Sequence, residues 1–503
     1  MSISTHEHAP ASVPVRPPLA WLPVGAALAA AAVALGATAT RYGYHRDELY
    51  FRMLEPAWGY VDQPPLTPLL ARTATAVFGD TIWALRLPAI ACLLGAVLLA
   101  VLVTRELGGG RGAQALCAWG LAFSALPLTF GHTLLTASVD LVVWIAVLLL
   151  ATRALLRDEP RWWLAVGALV GLSLANKHLI VLLLIGLAVG LLAVGPRGVF
   201  RSPWLWAGAG LALVLALPNL IYQATHDWPQ LTMARALSER GGYGARTELL
   251  PLQLVLLGVG LVPIWVAGLV VLLQRPAWRP VRALAVAYPV VLVVTLITAG
   301  RFYYSLGLVA VLYAAGCVPA IEWMGRRLAA RRALVVAAVA VNSVVSAFVA
   351  LPLVPVGALG DTPVPYLNQV TRDTVGWPVY VQTVAEVYAS LPAEDQARAV
   401  LFTSNYGEAG ALHRYGPAYG LPAVYSGHNE LWFAGPPPES ATVVVALTRS
   451  LSWFERHFAG CEPRAALDNG VGVPNEEQET TVLVCRDPVG GWSAVWPRLQ
   501  HYD

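Results

Sequence analysis

The chain has 503 residues, of which 57% are hydrophobic and only 13% charged. Soluble domains carry about 25% charged residues, so an ordinary water-soluble enzyme is excluded, and the mean hydropathy of +0.60 agrees. A net charge of +3 from 33 basic and 30 acidic residues has no polyelectrolyte character, and so gives no support for nucleic-acid binding.

A membrane-crossing helix needs about 20 mainly apolar residues. Eleven segments qualify, at roughly 20–40, 82–104, 113–130, 134–152, 162–176, 178–194, 204–222, 251–273, 283–300, 302–322 and 333–353. With a cytoplasmic N-terminus, the short inner loops hold Arg105 and Arg111, then Arg153, Arg157 and Arg161, then Arg197 and Arg201. They continue with Arg275, Arg279 and Arg282, and end with Arg326, Arg327, Arg331 and Arg332. The short connections near 131 and 177 are nearly bare of arginine, as the positive-inside rule requires of outer loops. Ala37-Thr38-Ala39 resembles a signal-peptide cleavage site, but the apolar run before it is longer than a signal core, so a retained anchor is expected. An odd number of spans divides the chain into a transmembrane domain, 1–353, and an extracytoplasmic α/β domain, 354–503, in a multi-pass protein of the cell membrane.

The first outer loop, 41–81, is too long to be a simple connector. Leu49, Tyr50, Met53, Leu54, Ala57 and Trp58 recur three and four apart, with Asp47, Glu48, Arg52 and Glu55 between them. That pattern predicts a helix lying in the membrane interface, where a carboxylate such as Asp47 is poorly hydrated. Glu48 is also placed to pair with Arg52 one turn on. Tyr60-Val61-Asp62-Gln63-Pro64-Pro65-Leu66 predicts a rigid turn before another short helix.

Further ionisable residues fall at the same membrane face. Asp140 opens the fourth span, where it could cap the helix, and Lys177 sits at an outer hairpin between apolar helices. Arg301-Phe302-Tyr303-Tyr304 adds a second cation with aromatics, and the outer loop around His226-Asp227-Trp228-Pro229 is expected to fold over the same region. A metal site joining His226 and Asp62 lacks ligand-like spacing.

From about Pro355 the chain becomes polar and rich in turns. Ala399–Thr403, Ala423–Ser426, Thr442–Leu447 and Thr481–Cys485 read as strands, and Val379–Leu391 and Glu408–Arg414 as helices. Cys92, Cys117 and Cys317 lie in spans as apolar filler. Cys461 and Cys485 are the only pair in the tail, where an oxidising exterior permits a disulfide.

These residues resemble those of GT-C superfamily glycosyltransferases of the protein-O-mannosyltransferase and aminoarabinose-transferase kind. The likeness is carried by Asp47-Glu48, by Tyr60-x-Asp62-x-Pro64-Pro65-Leu66 and by Asp140, and more loosely by Lys177 and Arg301-x-Tyr303-Tyr304. Asn405-Tyr406-Gly407-Glu408-Ala409-Gly410-Ala411 and Ser426-Gly427-His428-Asn429 resemble a tail of bacterial, especially actinobacterial, members. The resemblance implies a polyprenyl-phosphate-linked sugar donor, a lipid, glycan or protein acceptor, and inverting transfer. Asp47 would be the general base, with Glu48 beside it. Lys177, Arg301 and Tyr304 would hold the donor phosphate, and Tyr60, Asp62, Gln63, Asp140 and His226 would line the substrate pocket. A divalent cation is compatible with this chemistry, and the residues single out no cofactor. Gln63 departs from the cation that precedes the double proline in aminoarabinose transferases, and the tail is unlike the sugar-binding tail of protein mannosyltransferases. A transporter or flippase of a lipid-linked envelope precursor is the alternative. Against it stand the missing repeats and the concentration of polar residues on one face. A non-catalytic envelope scaffold is a third reading.

Overall fold

A computed structural model describes residues 13–325 and 329–503, so Arg326 and Arg327 lie outside the described residues. Helices occur at all eleven expected segments. The first half holds α1 (Trp21–Thr38), α2 (Arg46–Met53), α3 (Leu66–Phe78), α4 (Ile82–Glu106), α5 (Arg111–Ala122), α6 (Ala125–His132), α7 (Thr136–Leu156) and α8 (Trp162–Leu174). The second half holds α9 (Ile180–Ala193), α10 (Pro203–Thr225), α11 (Pro229–Leu252), α12 (Val262–Gln274), α13 (Ala283–Ile297), α14 (Leu306–Met324) and α15 (Ala329–Ala350).

The expectation of eleven continuous spans needs refinement. Among the described residues, six helices are long and apolar enough to cross a membrane: α1, α4, α7, α10, α15, and α14 with the turn before it. Two more candidates are broken, with a 59° bend between α5 and α6 and a 68° bend where α11 gives way to α12. α8, α9 and α13 have 13 to 15 residues and so reach only about 20 Å, short of a hydrocarbon core of about 30 Å. The segment 223–250, expected as a loop, is mostly the helix α11, which starts on the favourable N-terminal Pro229.

The bundle packs by close approach of small residues. A side chain at Gly268 would collide with the Leu312 carbonyl and one at Gly316 with the Ile264 carbonyl, so α12 and α14 meet backbone to backbone. At the arginine-rich end, the buried Glu106 carboxylate accepts bonds of 2.9–3.1 Å from Arg16, Arg153 and Arg157. Arg157 and Arg105 also bind the carbonyls of Pro14 and Pro17, stitching the chain before α1 to the ends of α4 and α7.

The tail forms a five-stranded mixed sheet of order β2-β1-β3-β5-β4, with β1 (Ala399–Thr403), β2 (Val424–Ser426), β3 (Val443–Thr448), β4 (Phe458–Ala466) and β5 (Thr481–Pro488). β1 is parallel to β2 and β3; β5 is antiparallel to β3 and β4. The expected strands and helices are present within a few residues. β4 was not expected, because Gly460, Pro463 and mostly exposed side chains hide an edge strand's alternation. Cys461 lies directly opposite Cys485 across β4 and β5, and the two are joined in a disulfide.

One apolar cluster runs from Leu49, Tyr50, Phe51 and Leu54 of the first loop into Trp377, Val381, Val384, Leu401 and Val445 of the tail. The sheet domain is therefore built onto the end of the bundle opposite the Glu106 cluster. This corrects the expected interfacial helix. α2 stops at Met53, because Pro56 disfavours helix at the residue before it, and its apolar face is covered by protein.

Glu48 and Arg86 hold this end together. Both side chains are fully buried, and Arg86 Nε and Nη2 each lie 3.2 Å from the Glu48 carboxylate. Arg86 also donates to the carbonyls of Ala39 (2.6 Å) and Gly43 (2.7 Å), while Glu48 accepts from the backbone N–H groups of His45 and Leu134. The expected Glu48–Arg52 pair does not form; Arg52 instead pairs with Asp80. Replacing Arg86 by Met strands a buried carboxylate and is expected to cost about 3–5 kcal/mol, with Glu48→Met/Arg86→Met recovering most of it. Thermal unfolding of the purified variants in detergent checks this.

Candidate functional site

The site begins with the start of α2. His45 is its N-cap: the ring accepts from the Asp47 N–H at 3.1 Å, and Glu48 returns a bond to the His45 N–H. This capping box fixes the first turn and leaves Asp47 as the partly exposed carboxylate of the pair, 28% accessible where Glu48 has none. Glu48, expected beside Asp47 in the chemistry, is closed off by Arg86 and serves to orient α2. Asp47 Oδ1 accepts a 2.9 Å bond from the hydroxyl of Tyr406, the first residue of the tail helix Tyr406–Tyr415.

The second half of the loop makes the neighbouring wall. Tyr60 N–H closes the expected turn on the Gln63 carbonyl at 2.9 Å, and both side chains are buried. Gln230 of α11 reaches the Tyr60 carbonyl, so the segment after His226 does fold over this loop. Asp62 faces the Tyr50 hydroxyl and lies 3.5 Å from Asn429 Nδ2, while Glu430 accepts from the Val61 N–H at 2.7 Å. Asn429 has a positive φ of 49°, a conformation that asparagine tolerates better than most residues. Crowding by protein and the nearby Glu430 carboxylate push the Asp62 carboxyl up to about 7. Burial raises Glu430 as well. His226 is exposed and stacks on Tyr222, with ring centroids 4.1 Å apart.

A third wall is organised by buried Asn176. Its side chain accepts from Thr67 of α3 at 2.5 Å and donates to the Thr136 carbonyl and to Asp140 Oδ1 at 2.9 and 3.0 Å. Asp140 is the fifth residue of α7 and not its cap; Ser138 bonds the Leu135 N–H instead. Next to Asn176, the Lys177 ammonium rests on the faces of Tyr303 and Tyr304, 5.7 and 5.1 Å from the ring centroids. Asp140 and Asp47 are both near enough to act on its charge. Asp140, Tyr303 and Tyr304, with Phe130, Trp144 and Leu179, line a small apolar crevice between α7 and α14. Arg301 is exposed at the start of the turn carrying the two tyrosines.

The fold thus brings Asp47, Lys177 and Tyr304 to one end of the bundle, with Asp140 in the crevice beneath and Tyr60, Asp62 and Gln63 beside them. Among the described residues, no group of three or more His, Cys, Asp or Glu side chains is placed to hold a metal ion. Sequence reasoning missed Asn176, Tyr406, Asn429 and Glu430 as parts of this site. For Tyr406 the local signal was present: Asn405 and Glu408 form a capping box straight after a strand, which points the first helical residue at whatever the strand end faces.

The family described as dolichyl-phosphate-mannose-protein mannosyltransferase matches residues 62–222. No curated protein sequence matches. Among solved structures, the chain is similar to ArnT from Cupriavidus metallidurans bound to undecaprenyl phosphate, with a TM-score of 0.59 at 17% identity, covering 92% of this chain and 97% of that one. The apo state of the same protein gives a TM-score of 0.61 at 14% identity, with the same coverage. These likenesses show the fold: a polytopic helical bundle with a C-terminal β-sheet domain, similar to that of ArnT.

The raised Asp62 carboxyl makes stability pH-dependent at this seam. Its contribution is fully present below the unfolded value near 4 and is lost as pH rises through about 7. Asp62→Asn is expected to flatten the pH dependence of the melting temperature between pH 4.5 and 8, as scanning fluorimetry across that range would detect.

Proposed function

We propose that this protein is a membrane glycosyltransferase that moves a sugar from a polyprenyl-phosphate-linked donor to a hydroxyl of an extracytoplasmic lipid, glycan or protein acceptor. The observation that carries the reading is a partly open carboxylate, Asp47, within electrostatic reach of an ammonium, Lys177, that rests on two tyrosines lining an apolar crevice at the tail-bearing end of the bundle. The matched family and the undecaprenyl-phosphate-bound relative support the same donor class. The arginine-rich opposite end, gathered around Glu106, supports a cytoplasmic N-terminus and an outward-facing site.

In this mechanism Asp47 accepts the proton of the acceptor hydroxyl as its oxygen bonds to the anomeric carbon. The bond from that carbon to the phosphate oxygen breaks in the same displacement, which inverts the centre. The lipid phosphate leaves already ionised, so it needs charge stabilisation more than a proton, and Lys177 supplies this with Tyr304 and Arg301. Lys177 suits the task because it leans on aromatic faces and forms no ion pair among the described residues. The aromatic mouth of the crevice meets the first apolar units of the donor, while Asp62, Gln63 and Asp140 face the sugar or acceptor.

Purified protein given polyprenyl-phosphate mannose, glucose, galactose or arabinose, with a membrane lipid extract as acceptor, is expected to release polyprenyl phosphate from one donor. Asp47→Asn should lower that turnover by about 10²-fold or more, and Lys177→Met by on the order of 10²-fold. Unchanged turnover in Asp47→Asn would remove the base from the mechanism, and lipid movement without sugar release would replace transfer by flipping.

A further inference from the structure

Two tail motifs have no part in the chemistry so far, Asn405 to Ala411 and Ser426 to Asn429, yet both converge on Asp47. Asn405 caps the helix Tyr406–Tyr415, accepting from the Glu408 N–H at 2.9 Å, while the Glu408 carboxylate accepts from the Ser404 and Asn405 N–H groups. Gly407 and Gly410 face α2. A Cβ at Gly407 would lie 2.9 Å from Arg46 Cβ, and one at Gly410 would lie 2.8 Å from Leu49 Cβ, so only glycine lets the tail helix come this near. The ring of Tyr406 is held on several sides: Tyr50 at 4.7 Å, His428 at 5.0 Å and the Arg46 guanidinium at 4.7 Å. His428 Nδ1 accepts from the Tyr406 N–H at 3.0 Å, its Nε2 pairs with Asp503, and its ring stacks on His501.

This effort fixes one hydroxyl, and that hydroxyl donates to the partly open carboxylate. We infer that Tyr406 is a positioning residue for Asp47, so that the C-terminal domain supplies part of the active site and not merely a surface for the acceptor. The inference rests on the reading of Asp47 as the base. One Asp47 oxygen is occupied by Tyr406, which sets the carboxylate plane and leaves the other oxygen for the acceptor proton. A hydrogen bond to a charged group held in this way is worth roughly a 10- to 100-fold change in rate when it acts on the reacting orientation.

The test uses full-length protein and the donor of the panel above that turns over. Tyr406→Phe keeps the ring and its stacking while deleting the hydroxyl. It is expected to lower kcat by about 10-fold or more, with an unchanged donor KM and melting temperature. In an Asp47→Asn background the same change should cost nothing further, because the two residues act as one unit. Tyr406→Phe with wild-type kcat beside an inactive Asp47→Asn would overturn the positioning role and leave the proposed reaction standing. An additional loss from Tyr406→Phe in the Asp47→Asn background would show that it acts apart from Asp47, which also overturns it. Full turnover by Asp47→Asn, or no turnover of any donor by the wild type, would instead defeat the proposed function on which the inference depends. Should Tyr406→Phe melt early, Gly410→Ala, which presses the tail helix off Leu49 without touching Tyr406, gives a second reading. It should lower kcat with Asp47 present and not with Asp47→Asn, and an equal loss in both would again overturn the role.

Discussion

The fully buried Glu48–Arg86 pair is the constraint on which the outer end of the molecule depends. Two charges removed from water are costly unless their remaining hydrogen-bonding capacity is filled, and here it is filled by backbone from four places: Ala39, Gly43, His45 and Leu134. The chain leaving α1, the entry to α2, the start of α4 and the approach to α7 are fastened to one point. Adjacent residues therefore have opposite fates. Glu48 is consumed as the anchor, and Asp47, turned one position around the helix, keeps an open face.

A second polar hub does for the cationic side what the ion pair does for the anionic side. Asn176 satisfies Thr67, Thr136 and Asp140 at once, so the hairpin carrying Lys177 cannot shift without breaking bonds to α3 and α7. An amide serves here because it can donate and accept within one side chain without bringing a charge of its own. The aromatic faces of Tyr303 and Tyr304 then steady the ammonium without neutralising it. A cation held by rings retains most of its charge for an incoming phosphate, whereas one locked to a carboxylate would not.

The helical segments were legible because lipid solvation imposes a composition that no other environment does, and Ala399–Thr403 and Thr481–Cys485 were legible because core strands are short apolar runs between turns. Composition marks each of these helices without fixing its length: α8, α9 and α13 carry the same apolar signal in fewer turns. Asp47 stood out as a carboxylate beside an apolar stripe. Its neighbour's role did not, since Arg86 is an isolated charge in a long apolar run and nothing local says which carboxylate it meets. Asn429 and Glu430 were illegible as site residues for the same reason: their partners are hundreds of positions away, and long-range pairing leaves no local pattern.

That separation has a consequence for biogenesis. Asp47 and Tyr406 are 359 residues apart, so the carboxylate leaves the ribosome long before its hydroxyl partner. Until the helix Tyr406–Tyr415 has been translated and folded, the bond between them cannot form. A truncated or half-inserted polypeptide would expose the carboxylate to lipid headgroups without the tyrosine that orders it.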